Sequence, residues 1–158
     1  MTEDVAVQFT MSRRVQFSET DMAGIVHFAN YYKYLEETEH AFFRSLGMRL
    51  MHEQADGVIL GWPRVRATCS FEAPAFYDDV LEIDLIILRK GVKSLTFGFR
   101  VRRGATPVAF GEVKTVCCAW RKGEPFHSVP IPPELDARLV ESPRGFKHVG
   151  RSGKAHSE

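Results

Sequence analysis

Only one segment of this chain has a helical period, and it sits early, among segments that alternate at every second residue. Between residues 31 and 46, Tyr31, Tyr34, Leu35, Thr38, Ala41, Phe42, Ser45 and Leu46 recur at three- and four-residue steps. Lys33, Glu36, Glu37, Glu39, His40 and Arg44 fill most of the gaps. That spacing gives an α-helix one apolar stripe. Asn30 stands where an N-cap is wanted, and Gly47 where a left-handed residue would end the helix. Upstream, Phe9, Met11, Val15 and Phe17 alternate with polar residues and predict a strand with one buried face. Downstream, Val65, Ala67, Cys69 and Phe71 do the same, and further strands are expected over 80–90, 95–102 and 108–120. Gly91 and the run 103–107 read as tight reversals, so the late strands join as hairpins and pair antiparallel.

Such a sheet must bury one face, and the helix is the only large element available to cover it. The expected class is therefore α+β, a curved antiparallel sheet wrapped around one long central helix. One domain over residues 1–141 accounts for it, since 158 residues leave little room for a second core. IPPELDARLVE, residues 131–141, adds a short helix opening at its prolines. From residue 142 to 158 the chain is polar and glycine-containing, and a mobile tail is expected.

The net charge of +1 gives no general attraction to nucleic acid or to a membrane surface. No apolar run approaches the roughly 20 residues that span a bilayer, and the acidic start lacks the pattern of a secretory signal. Three cysteines, Cys69, Cys117 and Cys118, make a poor disulfide framework. They read as small core residues in a reducing compartment, so the cytoplasm is the expected location. Neither metal-ligand spacing nor a phosphate-binding glycine loop is present, and no cofactor is expected.

Chemistry concentrates in residues 21–32, where Asp21 precedes a turn at Gly24 that feeds the start of the helix. Helix N-termini present unpaired N–H groups and partial positive charge. Acyl transfer passes through an oxyanion that needs such donors, and a nearby carboxylate can activate water or attack the acyl carbon. A thiolate leaving group, with a pKa of roughly 8.5, needs no strong acid behind it. One carboxylate and one set of amide donors thus suffice for a thioester.

The pattern Asp-x-x-Gly-x-Val-x-x-x-Asn-Tyr-x-x-x-x-Glu, running from Asp21 to Glu36, resembles the 4-hydroxybenzoyl-CoA thioesterase family of hotdog-fold proteins. The resemblance extends through the strand pattern to about residue 133. It implies a hotdog fold, acyl-CoA thioester hydrolysis, Asp21 as the catalytic carboxylate and the Phe28 backbone amide as oxyanion donor. A homodimer is implied as the minimum unit, with the site at its interface, and often a homotetramer above that. His27 is a weaker catalytic candidate. Glu36 matches a carboxylate near the acyl group, beside Glu37. Arg89, Lys90, Lys93 and Ser94, around Gly91, fall where the family holds CoA phosphates, and Arg64 and Arg66 extend the same basic rim. The acyl group is expected to be short or aromatic, carried on CoA or an acyl-carrier protein. Two other readings compete: a hotdog hydratase or dehydratase using His27 with Glu36 or Glu37, and an acyl-CoA-binding protein without turnover.

Overall fold

The computed structural model describes residues 6–142. β1 (Val7–Arg14) leads through a short 3-10 turn to the long helix α1 (Ala29–Ser45). Two brief strands follow, β2 (His52–Glu53) and β3 (Ile59–Gly61), then β4 (Arg64–Phe71), β5 (Val80–Lys90), β6 (Ser94–Arg103) and β7 (Thr106–Val116). β8 (Cys118–Trp120), β9 (His127–Ser128) and the single-turn helix α2 (Pro133–Asp136) close the described chain. The main sheet has the order β1-β5-β6-β7-β4 with every pair antiparallel. The fold is α+β, as the periodicities require.

Alternation does the sorting in the middle of the sheet. Leu81, Ile83, Leu85 and Ile87 on β5, and Leu95, Phe97, Phe99 and Val101 on β6, are all fully buried. Each contributes about 1.5–3 kcal/mol on burial. α1 supplies Tyr31, Tyr34, Leu35, Phe42 and Phe43 to the same core. Leu35 presses so closely on β7 that a Cβ at Gly111 would stand 2.5 Å from its Cδ1. A side chain there would force Leu35 to move. At its far end α1 stops in a Schellman arrangement, with Gly47 at φ +72. The Met48 N–H donates to Phe43 O, and the Gly47 N–H to Arg44 O, at 2.9 Å each.

Several local expectations need correction. Helix α1 begins two residues early, with Phe28 at the N-cap position and no side-chain cap from that residue. Asn30 instead donates its side-chain amide to Glu19 O at 2.8 Å, tying the preceding loop to the helix. Glu39, placed among the solvated charges by its position, is 1% exposed. Phe17 falls in the 3-10 turn and is 76% exposed rather than buried. β4 buries almost nothing: Val65 is 58% and Phe71 50% exposed, because β4 is the outer strand beyond β7. The strand expected over 108–120 breaks at Cys117. There the Cys117 N–H turns to Lys93 O and its carbonyl accepts from Val129 N–H. The chain then crosses into a second sheet, β2-β3-β8-β9, whose two- and three-residue strands are too short to alternate visibly. Ser142, first residue of the expected tail, is buried with its N–H on Ile87 O; the rest of that tail lies outside the described residues.

Candidate active site at the start of helix α1

The loop between β1 and α1 is held by Glu19. Its Oε2 accepts from Arg13 Nη1 (2.7 Å), the Gln16 N–H (2.8 Å) and the Tyr34 hydroxyl (2.8 Å), while Oε1 pairs with Arg13 Nη2. Arg13 also lies over the Tyr34 ring, 4.2 Å from its centroid, and reaches Glu37. Burial pushes the Glu19 carboxyl up, but Arg13 and the other donors outweigh it and hold the group below the ordinary carboxylate range. Its carbonyl accepts from the His27 N–H at 2.9 Å and from Asn30. Sequence reasoning passed over Glu19, although an acidic residue two positions before Asp21 and facing Arg13 across a short turn was available as a signal.

Thus clamped, the loop presents Asp21. Its N–H donates to Ile25 O and its carbonyl accepts from the Gly24 N–H, both at 2.9 Å, and Gly24 takes φ +76 to close the turn. Oδ1 accepts from the Ala23 N–H at 2.8 Å, an Asx-turn that fixes the carboxylate. Oδ2 has no partner among the described residues. The side chain borders a cleft of about 510 Å3 walled by Val26, Phe28, Tyr31, Phe71 and Pro74. Tyr31 and Phe71 pack with ring centroids 5.2 Å apart, and burial pushes the Tyr31 phenol up to about 12, so it stays protonated at neutral pH.

The Phe28 N–H donates to no described residue and sits where α1 leaves its first amides unpaired. The next amide is spent differently: the Ala29 N–H donates to His27 Nδ1 at 3.3 Å. The His27 ring thus accepts from the first amide of α1 and lies 4.7 Å from the ring of Phe28. Asp21, with its fixed carboxylate, and Phe28, whose amide is bare, both border the same cleft.

The remaining sequence candidates lie elsewhere. Glu36 is an exposed α1 residue 3.6 Å from His40 and does not border the Asp21 cleft. Around Gly91 the four residues divide. Arg89 and Ser94 line a hollow of about 300 Å3 on the sheet, together with Arg66, Thr96 and Lys114. Register explains the grouping, for Arg89, Thr96, Lys114 and Arg66 are successive cross-strand partners over β5, β6, β7 and β4. Lys90 turns to the C-terminal segment, donating to Asp136 O (3.0 Å) and Leu139 O (3.3 Å), and Lys93 donates to Ser128 O (3.3 Å). Among the described residues, all three cysteines are free thiols and no three His, Cys, Asp or Glu side chains converge as a metal site. Burial pushes the Cys69 and Cys117 thiols up to about 11. No helix among these residues is long and apolar enough to cross a membrane.

Comparison with known proteins identifies the family. The chain is 32% identical to the 4-hydroxybenzoyl-CoA thioesterase of Pseudomonas sp. strain CBS-3 over 136 residues, 81% of this chain and 94% of the relative. It is 28% identical to a 1,4-dihydroxy-2-naphthoyl-CoA hydrolase of Synechococcus elongatus over 109 residues, covering 69% and 80% of the two chains. Among solved structures, a gentisyl-coenzyme A thioesterase superposes with a TM-score of 0.68 at 32% identity, over 80% of this chain and 98% of the other. A family model described as the thioesterase-like superfamily matches residues 15–139, from the end of β1 past α2. With hotdog sheet, central helix and helix-start cleft all in place, the chain belongs to the thioesterase-like superfamily, in the 4-hydroxybenzoyl-CoA thioesterase family of hotdog proteins.

Proposed function

We propose that this thioester hydrolase is an acyl-CoA thioesterase that cleaves a short or aromatic acyl-CoA at the Asp21 cleft. The observation that carries the reading is that an Asx-fixed carboxylate, Asp21, and Phe28, whose N–H has no described acceptor, line the same cleft at the start of α1. Asp21 acts on the thioester carbonyl either through water, as general base, or directly, as nucleophile. Both routes put negative charge on the carbonyl oxygen, and a preorganised amide at a helix start stabilises it. The thiolate then departs, leaving the free acid on the first route and, on the second, an acyl–Asp21 anhydride that water hydrolyses to the acid and the free carboxylate. Relatives named for 4-hydroxybenzoyl, dihydroxynaphthoyl and gentisyl thioesters favour an aromatic acyl group, and the Tyr31, Phe28 and Phe71 walls suit one.

Arg89 and Ser94, with Arg66 and Lys114 in the same cross-strand row, are the groups for the phosphates of CoA; Lys90 and Lys93 are already engaged. The exposed β4 edge, with Val65 and Phe71 uncovered, is the surface for a second copy. Phe71 lines the cleft as well, so a homodimer would wall it, and a homotetramer would build on that pair. A cytoplasmic setting fits the free thiols.

The test is a panel of aroyl- and short acyl-CoAs, with acyl-carrier-protein thioesters beside them, read by release of free thiol. Asp21→Asn is expected to lower turnover about 100-fold or more, the scale of losing a general base. Its chemical denaturation should be unchanged within about 0.5 kcal/mol. Wild-type turnover in that variant on a good substrate would end the assignment.

A further inference from the structure

We propose that Arg103 and Asp79 are positioning residues for thioester hydrolysis: as an ion pair they lock the loop between β4 and β5, and that loop sets the place of Asp21 in its cleft. The inference rests on Asp21 as the working carboxylate. Ile25 and Val26 from the Asp21 turn, and Ala73 and Pro74 from the β4–β5 loop, line the same cleft. Backbone contacts sew the two loops together. The Val26 N–H donates to Ala75 O at 2.8 Å, and Ile25 forms an antiparallel bridge with Phe76. Ile25 O in turn accepts from the Asp21 N–H at 2.9 Å. Ala75 is fully buried, so the seam has no room to slide.

A side-chain clamp fixes the β4–β5 loop. Arg103, the last residue of β6, donates from Nη1 to Pro74 O at 3.2 Å and to Asp79 Oδ2 at 2.8 Å. The same Oδ2 accepts from the Phe76 N–H at 2.8 Å, and the Arg103 guanidinium lies 5.8 Å from the Phe76 ring centroid. One cation therefore holds both ends of the segment 74–79. Burial pushes the Asp79 carboxyl up, but Arg103 and the Phe76 N–H outweigh it and hold the group below its ordinary 3.8. Asp78 takes φ +71, a left-handed backbone at a residue other than glycine. Such strain persists only where the surroundings over-determine it, and it gathers at working sites. Here the Asp78 N–H donates to Val15 O at 3.1 Å, and Arg14 Nη1 donates to the Asp78 carbonyl at 2.9 Å. A partly exposed ion pair such as Arg103–Asp79 contributes little to stability. Its consequence lies in geometry, because a reacting group displaced by about 1 Å can lose about 100-fold in rate.

Thiol release is followed with benzoyl-, 4-hydroxybenzoyl- and acetyl-CoA, using whichever turns over fastest, and circular dichroism checks that each variant is folded in the assay. Arg103→Ala should lower kcat about tenfold or more and leave KM within about twofold, since a misplaced group costs rate while the cleft itself remains. Asp79→Asn, nearly isosteric and the second variant should Arg103→Ala fail to fold, should lower kcat about fivefold or more. The double variant should be no slower than the slower single one, because the two residues act as a unit. Arg102→Gln is the control: it breaks the pair with Asp84 one residue along the same strand, which disturbs the fold and should leave kcat unchanged. Four results overturn the proposal: wild-type kcat in both single variants, an effect on KM alone, losses that add in the double variant, or an equal fall in Arg102→Gln. Asp21→Asn separates the two possible failures. Wild-type turnover there ends the Asp21 assignment and this proposal with it, whereas an inert Asp21→Asn beside fully active Arg103→Ala and Asp79→Asn removes this proposal alone.

Discussion

Glu39→Gln tests whether the buried carboxylate strains the fold at neutral pH. Burial pushes the Glu39 carboxyl from its ordinary 4.5 up to about 7, and Arg64 only partly offsets it. A folded-state pKa above the unfolded one means that the folded chain holds its proton longer. Stability from this group is therefore full below pH 4.5, declines as pH rises toward 7, and is flat above that. At about 1.4 kcal/mol per pH unit, a shift of that size corresponds to about 3 kcal/mol across the window. Gln keeps the acceptor for Arg64 Nη2 and removes the titration. Urea denaturation of both proteins at matched concentration, at pH 5 and pH 8, isolates the group because every other titration cancels in the difference. The variant is expected to gain on the wild type by about 2–3 kcal/mol between the two pH values. A difference that stays constant with pH within about 0.5 kcal/mol would refute the reasoning, since it would mean the carboxylate ionises in the fold as freely as in the unfolded chain.

Other perturbations follow from the same contacts. Gly111→Ala places a Cβ 2.5 Å from Leu35 Cδ1 and should cost about 1–3 kcal/mol by overpacking; Leu35→Ala in the same chain should recover part of that, measured as a double-mutant cycle. Glu19→Gln weakens the clamp on Arg13 and Tyr34, with an expected loss of about 1.5–3 kcal/mol in urea. Because Glu19 also sets the loop, its kcat should fall more than its KM rises. Asp84 is 2% exposed on β5; burial pushes its carboxyl up, but Arg102, Thr10 and Arg100 together hold it below its ordinary 3.8. Its stabilisation is thus present above 3.8 and lost as pH falls through the depressed folded value, so Asp84→Asn should flatten the acid limb of an unfolding titration.

The fold was legible wherever periodicity ran long enough to register. Seventeen residues of α1 and the eleven each of β5 and β7 carry several full periods, and a glycine marks the end of the helix with its positive φ. β2, β3, β8 and β9 do not, since two or three residues show no alternation and their pairing is decided by distant partners such as Gly61 with Cys118. The failure at β4 has another cause. Its sequence alternates as a half-buried strand should, yet Val65 and Phe71 are exposed, because periodicity reports what a surface is suited to cover and not what lies against it in one copy of the chain.

The candidate site divides along the same line. Asp21, Gly24 and the helix start are neighbours in sequence, so their joint geometry follows from local turn chemistry and could be read directly. Glu19, Arg13 and Tyr34 meet across 6 and 15 residues, and Glu39 meets Arg64 across 25. Such contacts depend on how the helix is seated against the sheet. Glu39 shows why composition misleads there: on a helical wheel it borders the polar face, and only the position of β4 beside α1 turns that border inward. A charged residue at the edge of an apolar stripe is ambiguous until its neighbour is known, and in this chain that neighbour is an arginine on an edge strand. The ambiguity is resolved by electrostatics rather than by pattern. A carboxyl group buried at that border must either keep its proton or have a cation beside it, and here Arg64 supplies part of that charge.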